Sequence, residues 1–392
     1  MDEVEVRKNI TLYKWFVISA EPLFWGPTLI LCLQRLGKMS LSEVYIMEAI
    51  VISGIVFLEI PSGALADLIG RKQTILLGNY FFLASSIMFA FINSAYDVWI
   101  ANITAMIGIA LRSGADSAFL YDSLKEVGRE CEYKKIHGNA VGNRLLIVAF
   151  CSLGAGFLSE INLRIPLFIS IPGIIASCVI VSLFKEPIRA KKYNVLGQMN
   201  LMKISILFVA NHKEVKWIIG FTTLITVISK IWFFAYNPYF ELVGFNLRYY
   251  GVVFFLLNIV AWFFSRYAYM LEKKIGEQYC LMMMVILIGF PILFMGSVVS
   301  QTMISMVLFQ NVVRGFMDPF LSGFLNHHLD SENRATVISI KSAVSGFASV
   351  ITLSMFGSVL NFYSLAICLQ SLGIITLLFG IIAIWRYGRI FK

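Results

Sequence analysis

Long apolar runs separated by short polar connections organise this sequence. Runs of spanning length fall near 11–33, 43–65, 73–94, 98–120, 138–159, 165–184, 217–240, 249–271, 279–299, 302–325, 335–358 and 363–385. Each is close to the roughly 20 residues with which an α-helix crosses a hydrocarbon core about 30 Å thick. The pattern predicts an all-α integral membrane protein of twelve transmembrane helices. Trp15, Trp99, Trp217 and Trp385 stand at the ends of runs, where an indole ring suits the headgroup zone. The longest polar connection divides the chain into a six-helix bundle at 1–184, a cytoplasmic linker at 185–216 and a second six-helix bundle at 217–392. Within that linker, 195–210 mixes Leu196, Met199, Met202, Ile206 and Phe208 with polar positions, and reads either as an amphipathic helix on the membrane surface or as a plain linker with some helix.

Composition places the chain firmly in the bilayer: hydrophobic residues make up 58% of the 392 and charged residues only 14%. The net charge of +9 needs no nucleic acid to explain it, because placement matters more than sum. Most of the 32 Lys and Arg fall in alternate connections on the side shared by both termini, which predicts cytoplasmic termini. The first run is too long for the apolar core of a signal peptide and reads as a span. A multi-pass protein of the bacterial cytoplasmic (inner) membrane, monomeric and in contact with lipid, is the expectation. Five of the six cysteines lie in apolar runs, with no disulfide framework and no metal spacing. The four histidines, His137, His212, His327 and His328, all fall in predicted loops. A nucleotide-binding G-x-x-x-x-G-K-[ST] does not occur, so ATP bound by this chain is not the energy source. No cofactor is expected beyond a proton as coupling ion.

Between the second and third runs lies Gly63-Ala-Leu-Ala-Asp67-Leu-Ile-Gly70-Arg71-Lys72, whose glycines permit a tight membrane turn and whose charges sit at the surface. This stretch resembles the first cytoplasmic hairpin of the major facilitator superfamily (MFS) of secondary transporters, G-x-L-A-D-x-x-G-R-K. The resemblance implies two pseudo-symmetric six-helix bundles that rock about a mid-membrane site. It also implies a latch in which Asp67 and Arg71 engage a carboxylate at the end of the fourth helix, here Asp122, and the start of the eleventh near Arg334 and Thr336. Gly63, Asp67, Gly70, Arg71, Lys72 and Asp122 are thus expected to gate rather than to bind. The run Arg314 to Ser339, with Pro319, Asn326 and Arg334-Ala-Thr-Val-Ile-Ser, resembles bacterial members described as drug exporters. The fifth run, by contrast, lacks the G-P-x-x-G-G of many antiporters.

Charges inside the spans are the candidate machinery, since a charge facing lipid costs roughly 2.5–3.5 kcal/mol on insertion scales and belongs instead in a polar pathway. Glu21 lies midway along the first span, before Pro22 and near Gly26-Pro27, where the helix should bend. Lys230 occupies a comparable depth in the seventh span, and both helices line the central cavity in the superfamily. Glu21 is expected to bind a proton or a cationic substrate group. Arg112 resembles the fourth-helix arginine of proton-driven members, R-x-x-x-G, but Asp116 occupies the glycine position and, as i+4 on one helix face, could neutralise it. The tenth span repeats the pattern as Arg314 and Asp318, a trace of an internal duplication. Gly276, in the hairpin after the eighth span, stands where Gly70 does in the first half. Arg144, Lys341 and Glu59 read as structural ion-pair partners near span ends, and Glu48 as a group that reaches water.

These residues support a proton-coupled secondary transporter of a small organic molecule, exporting by alternating access. Uptake by symport or facilitated diffusion is the alternative. A polytopic membrane enzyme would need a convergent catalytic set, and the nearest candidate, His327, His328 and Asp330, is explained by a solvated loop.

Overall fold

A computed structural model of the chain describes residues 2–187, 209, 211–328 and 331–391. The side chains of Ile60, of 322–323, 325–328 and 331–336, and of 338–339 are outside that description. The amphipathic segment expected at 195–210 lies outside the described residues, apart from Val209.

The elements described are helices. They run α1 (Glu3–Ser19), α2 (Leu29–Leu31) continuing into a wider π turn at Cys32–Leu36, α3 (Leu41–Ile69), α4 (Arg71–Ala90), α5 (Ala95–Arg112), α6 (Ala115–Lys125), α7 (Tyr133–Ile161) and α8 (Ile165–Ser182). The second half holds α9 (Lys213–Leu242), α10 (Tyr250–Ile275), α11 (Glu277–Ser297), α12 (Val307–His328), α13 (Ser331–Val359) and α14 (Leu365–Ile390). Among the described residues ten helical stretches are long and apolar enough to cross a membrane. The first and tenth expected spans are not among them. The first is broken between Ser19 and Leu29, and the tenth carries Gln310, Asn311, Arg314 and Asp318.

Helix starts follow local chemistry. Asp2 and Glu5 close a capping box on α1, and Ser94 and Asp97 close another on α5. The Glu5 carboxyl is held below its usual range by the Lys185 ammonium that it bonds, which ties the start of α1 to the chain leaving α8. A single glycine makes the turn from α3 to α4: Gly70 has φ 109° and ψ 156°, a region essentially reserved for glycine. Gly276, between α10 and α11, has φ 84° and ψ 160°, so the two hairpins share one turn geometry. Gly63, by contrast, is an ordinary helical residue within α3 with open space around it, so the reversal rests on Gly70 alone.

The described chain forms two compact units. The first comprises Met1–Ser40, Ile50–Tyr193 and Leu247–Phe255, and the second Leu41–Ala49, Asn194–Asn246 and Leu256–Lys392. Small residues set the helix spacing in each, as expected where lipid supplies no hydrophobic drive and close backbone approach does. In the first unit a Cβ on Gly78 would come 2.8 Å from the Gly108 carbonyl oxygen, locking α4 to α5. In the second, a Cβ on Gly296 would come 2.3 Å from the Gln370 nitrogen, and one on Gly373 would come 2.5 Å from that of Leu293, locking α11 to α14.

Candidate functional site

The polar centre of the first unit is built around two helix breaks. Pro22 and Pro27 lack the N–H that would continue α1, and the chain between Ser19 and Leu29 passes through turns instead. The carbonyl of Ala20 is left at the frayed end, and Arg112 Nη1 donates to it at 3.1 Å. A guanidinium placed there satisfies an orphan carbonyl and sits at the negative end of the helix dipole. Its planar head also lies 5.3 Å from the Phe82 ring centroid and 5.7 Å from that of Phe16, so aromatic faces complete its shell. The buried Arg112 Nε has no hydrogen-bond partner among the described residues.

Glu21 follows the break directly, and Arg144 Nη1 donates to its Oε1 at 2.7 Å. The Glu21 side chain is 37% exposed and that of Arg144 30%, so solvent reaches the pair. Arg144 was expected near a span end as a structural partner. It instead stands close to the middle of α7, because that helix begins at Tyr133, ahead of its apolar run.

The second break corrects the reading of Arg112 and Asp116. Ser113 is extended at ψ 123° and Gly114 has φ 76°, so α5 stops at Arg112 and α6 begins at Ala115. Arg112 and Asp116 therefore do not share a continuous helical face. The Asp116 carboxylate accepts from the Ser117 backbone N–H at 2.6 Å, at the start of α6, and lies within Coulombic reach of Arg112 and His137. Glu59 holds the break from α3 by accepting from Ser113 Oγ at 2.7 Å.

His137 corrects another expectation: it is not in a loop but on α7, with its Nδ1 2.8 Å from the hydroxyl of the fully buried Tyr13 on α1. The hydrophobic run concealed it, since α7 extends beyond the apolar residues by more than a turn. Tyr133, one turn before His137, was the available signal, since its ring stacks on the imidazole at 5.5 Å.

The hairpin residues form a second cluster. Arg71 lies between two carboxylates, with Nη2 3.1 Å from Asp67 Oδ1 and Nε 3.6 Å from Asp122 Oδ2. Glu186, just beyond α8 and missed in the sequence, accepts from the backbone N–H groups of Arg71 at 2.7 Å and Lys72 at 2.8 Å. A carboxylate there meets the positive end of α4 and two of its orphan donors. The side chains of Arg334 and Thr336 lie outside the described residues.

The second unit has its own polar centre. Lys230 Nζ donates to Ser349 Oγ at 3.3 Å. Glu48 is half-buried rather than in open water, within Coulombic reach of Lys230, and one turn along, the Tyr45 hydroxyl donates to the Ile231 carbonyl at 2.7 Å. Gln310 Nε2 donates to the Ser229 carbonyl at 2.8 Å, and Asn311 Nδ2 to the Tyr236 hydroxyl at 3.2 Å. Arg314, exposed, donates to Asn311 Oδ1 at 3.3 Å, and Asp318 is exposed one turn further along the unbroken α12. Among the described residues no cluster of side chains has the make-up of a metal site.

No protein-family model matches the chain. It is 23% identical over 359 residues to an uncharacterized MFS-type transporter of Bacillus subtilis (strain 168), covering 88% of this chain and 86% of that protein. It is 28% identical over 305 residues to an uncharacterized transporter of Buchnera aphidicola, covering 74% of each. Among solved structures it resembles a variant of the nucleoside transporter NupG, with a TM-score of 0.79 at 13% identity over 99% of this chain and 100% of that one. It also resembles a D-xylose-proton symporter, with a TM-score of 0.71 at 12% identity over 97% of both chains. Both relatives are named as transporters, one of them MFS-type, and the chain shares the fold of the solved transporters.

Proposed function

We propose that this chain is a proton-coupled secondary transporter of a small polar organic molecule, with Glu21 as the carboxylate that exchanges the proton. The observation that carries this reading is the Glu21–Arg144 pair, seated at a helix break and open to solvent. Discontinuous helices expose backbone ends at membrane depth, and transporters place their substrate and ion sites there. Ionised Glu21 holds the Arg144 guanidinium. Proton uptake removes the negative charge, weakens that hold and frees the guanidinium for a substrate oxygen. Arg112 keeps the frayed end of α1 in place while this happens, through its bond to the Ala20 carbonyl. The Arg71 cluster is the gate in this reading, engaged in one conformation and released in the other.

Amide and hydroxyl groups dominate the second unit's centre, in Gln310, Asn311, Tyr236 and Ser349, which suits a substrate rich in hydrogen-bonding groups. Export is the direction we propose, on the exporter-like run from Arg314 to Ser339. Uptake by symport is the second reading, favoured by the fold shared with proteins named as a nucleoside transporter and a D-xylose-proton symporter.

The test is transport by purified protein in proteoliposomes under an imposed pH gradient, across cationic, neutral, zwitterionic and anionic small molecules, with the gradient oriented both ways. Glu21→Gln should abolish gradient-driven accumulation while leaving substrate exchange at equal pH. Accumulation that survives in Glu21→Gln would overturn the assignment of Glu21.

A further inference from the structure

One cavity lies within the second unit, with neither Lys230 nor Ser349 in its lining. It is a groove of about 1500 Å³ between α13 and α14, floored by α9. In the first half the corresponding helices α7 and α8 pack against one another. Here the walls stay apart, and the side chains that line them are apolar and turned outward: Met355 is 61% exposed, Phe379 57% and Ile375 45%. On spanning helices such side chains face the hydrocarbon core. The lining runs along α14 from Ile367 to Ile390, which at 1.5 Å per residue is about 35 Å, close to the full apolar thickness.

One end of the groove is chemically distinct. Lys213, Lys216, Arg386 and Arg389 gather there against a single carboxylate, Glu214. The floor beneath them is rigid and aromatic. Trp217 donates Nε1–H to the Ala383 carbonyl at 2.7 Å and stacks on Phe221 at 5.2 Å. Beside it Arg389 lies 3.7 Å from the Trp385 ring centroid, which holds its guanidinium at the groove mouth. A rigid apolar trough as long as the bilayer is thick, with a cationic cluster at the membrane surface, matches the two parts of one molecule, an acyl chain and an anionic headgroup.

We infer that this groove binds an anionic phospholipid, one acyl chain lying in the trough between α13 and α14 and the headgroup phosphate held by Lys213, Arg386 and Arg389. The site is independent of the transport direction and of Glu21. Lipid bound there links α14 to α13 and α9, so the anionic lipid content of the membrane becomes a determinant of the packing of the second unit.

The experiment uses the full chain reconstituted in vesicles whose phosphatidylcholine or phosphatidylglycerol carries dibrominated acyl chains, with Trp385→Phe isolating the signal of that indole by difference. Brominated phosphatidylglycerol should quench Trp385 more strongly than brominated phosphatidylcholine. Each of Lys213→Gln, Arg386→Gln and Arg389→Gln should reduce that preference about fivefold, the worth of one interfacial cation. Native mass spectrometry should show one phosphatidylglycerol retained per chain, lost in the triple variant. Equal quenching by both lipids would mean an ordinary annular contact and would overturn the proposal. Absence of quenching by either lipid, together with a disulfide formed between Met355→Cys and a cysteine placed in 195–208, would overturn it in favour of the chain's own linker as occupant.

Discussion

Arg112 and Asp116 stand on either side of a helix break, whereas Arg314 and Asp318 ride on the unbroken helix α12, although the two pairs share their spacing and their place in the two halves. Glycine placement explains the difference. In the fourth segment Gly114 takes φ 76° with nothing near the position of a Cβ, so it serves the backbone bend alone. In the tenth, Gly315 is helical, and a Cβ there would come 2.1 Å from the Ala261 carbonyl oxygen on α10, so it serves close packing. One glycine opens a helix and the other seats one. The consequence for chemistry is that Arg112 is drawn in to hold the Ala20 carbonyl, while Arg314 stays exposed beside Asn311. Duplicated motifs thus diverge in role through a shift of one residue in where the glycine stands.

The sharpest way to break this comparison is to remove each arginine. Arg112→Gln strips the partner from a buried carbonyl at the end of α1, which costs about 1–3 kcal/mol for an unsatisfied group. It also loosens the segment that carries Glu21, so gradient-driven transport should fall to background and the melting temperature should drop. Arg314→Gln keeps a donor for Asn311 and should cost less, about 0.5–1.5 kcal/mol for one hydrogen bond. Thermal unfolding in detergent and proteoliposome transport read both. Equal losses in the two variants would show that the break gives Arg112 no special role.

Exchanging the glycines tests the same contrast at the backbone. Gly315→Ala forces α12 away from α10, with overpacking costs typically about 1–3 kcal/mol and more where the opposing atom is backbone. Gly114→Ala meets no neighbour and bears only the left-handed backbone penalty of roughly 1–2 kcal/mol. Gly315→Ala should therefore lower the melting temperature more, while Gly114→Ala should impair transport out of proportion to its stability loss. The reverse ranking would remove the packing role assigned to Gly315.

Much of this was legible in the chain, and what was hidden has a physical pattern. Glu21-Pro22 and Gly26-Pro27 announce a break because proline cannot donate, and Gly70 announces a turn through its motif. Gly114 announces nothing, since a lone glycine in an apolar run is usually tolerated inside a helix. The Glu21–Arg144 pair joins residues on different helices, beyond the reach of i,i+4 reasoning, which instead suggested Asp116 for Arg112. One feature hides His137 and the position of Arg144 from the sequence: α7 starts with polar residues, and hydropathy registers only the apolar part of a helix. Glu186 was passed over because its partners are backbone N–H groups, which leave no mark in a sequence.

That last residue supplies the smallest test, on the two glycine turns. Gly70 and Gly276 share one backbone geometry, yet their acids differ. At the first turn Glu186 arrives from beyond α8 and accepts from the Arg71 and Lys72 N–H groups. At the second Glu277 is the first residue of α11 itself and accepts from the Tyr387 hydroxyl at 3.2 Å. Removing the charge with Glu186→Gln keeps an acceptor oxygen and loses one bidentate ionic cap, worth about 0.5–2 kcal/mol at a helix start. Glu277→Gln keeps its acceptor oxygen for Tyr387 and gives up only the charge–dipole part, about 0.3–1 kcal/mol. Amide exchange at residues 71–72 should rise in Glu186→Gln, and exchange at residues 277–278 should stay nearly constant in Glu277→Gln. No increase at either turn would mean that the glycine geometry, and not the acid brought to it, holds each hairpin closed.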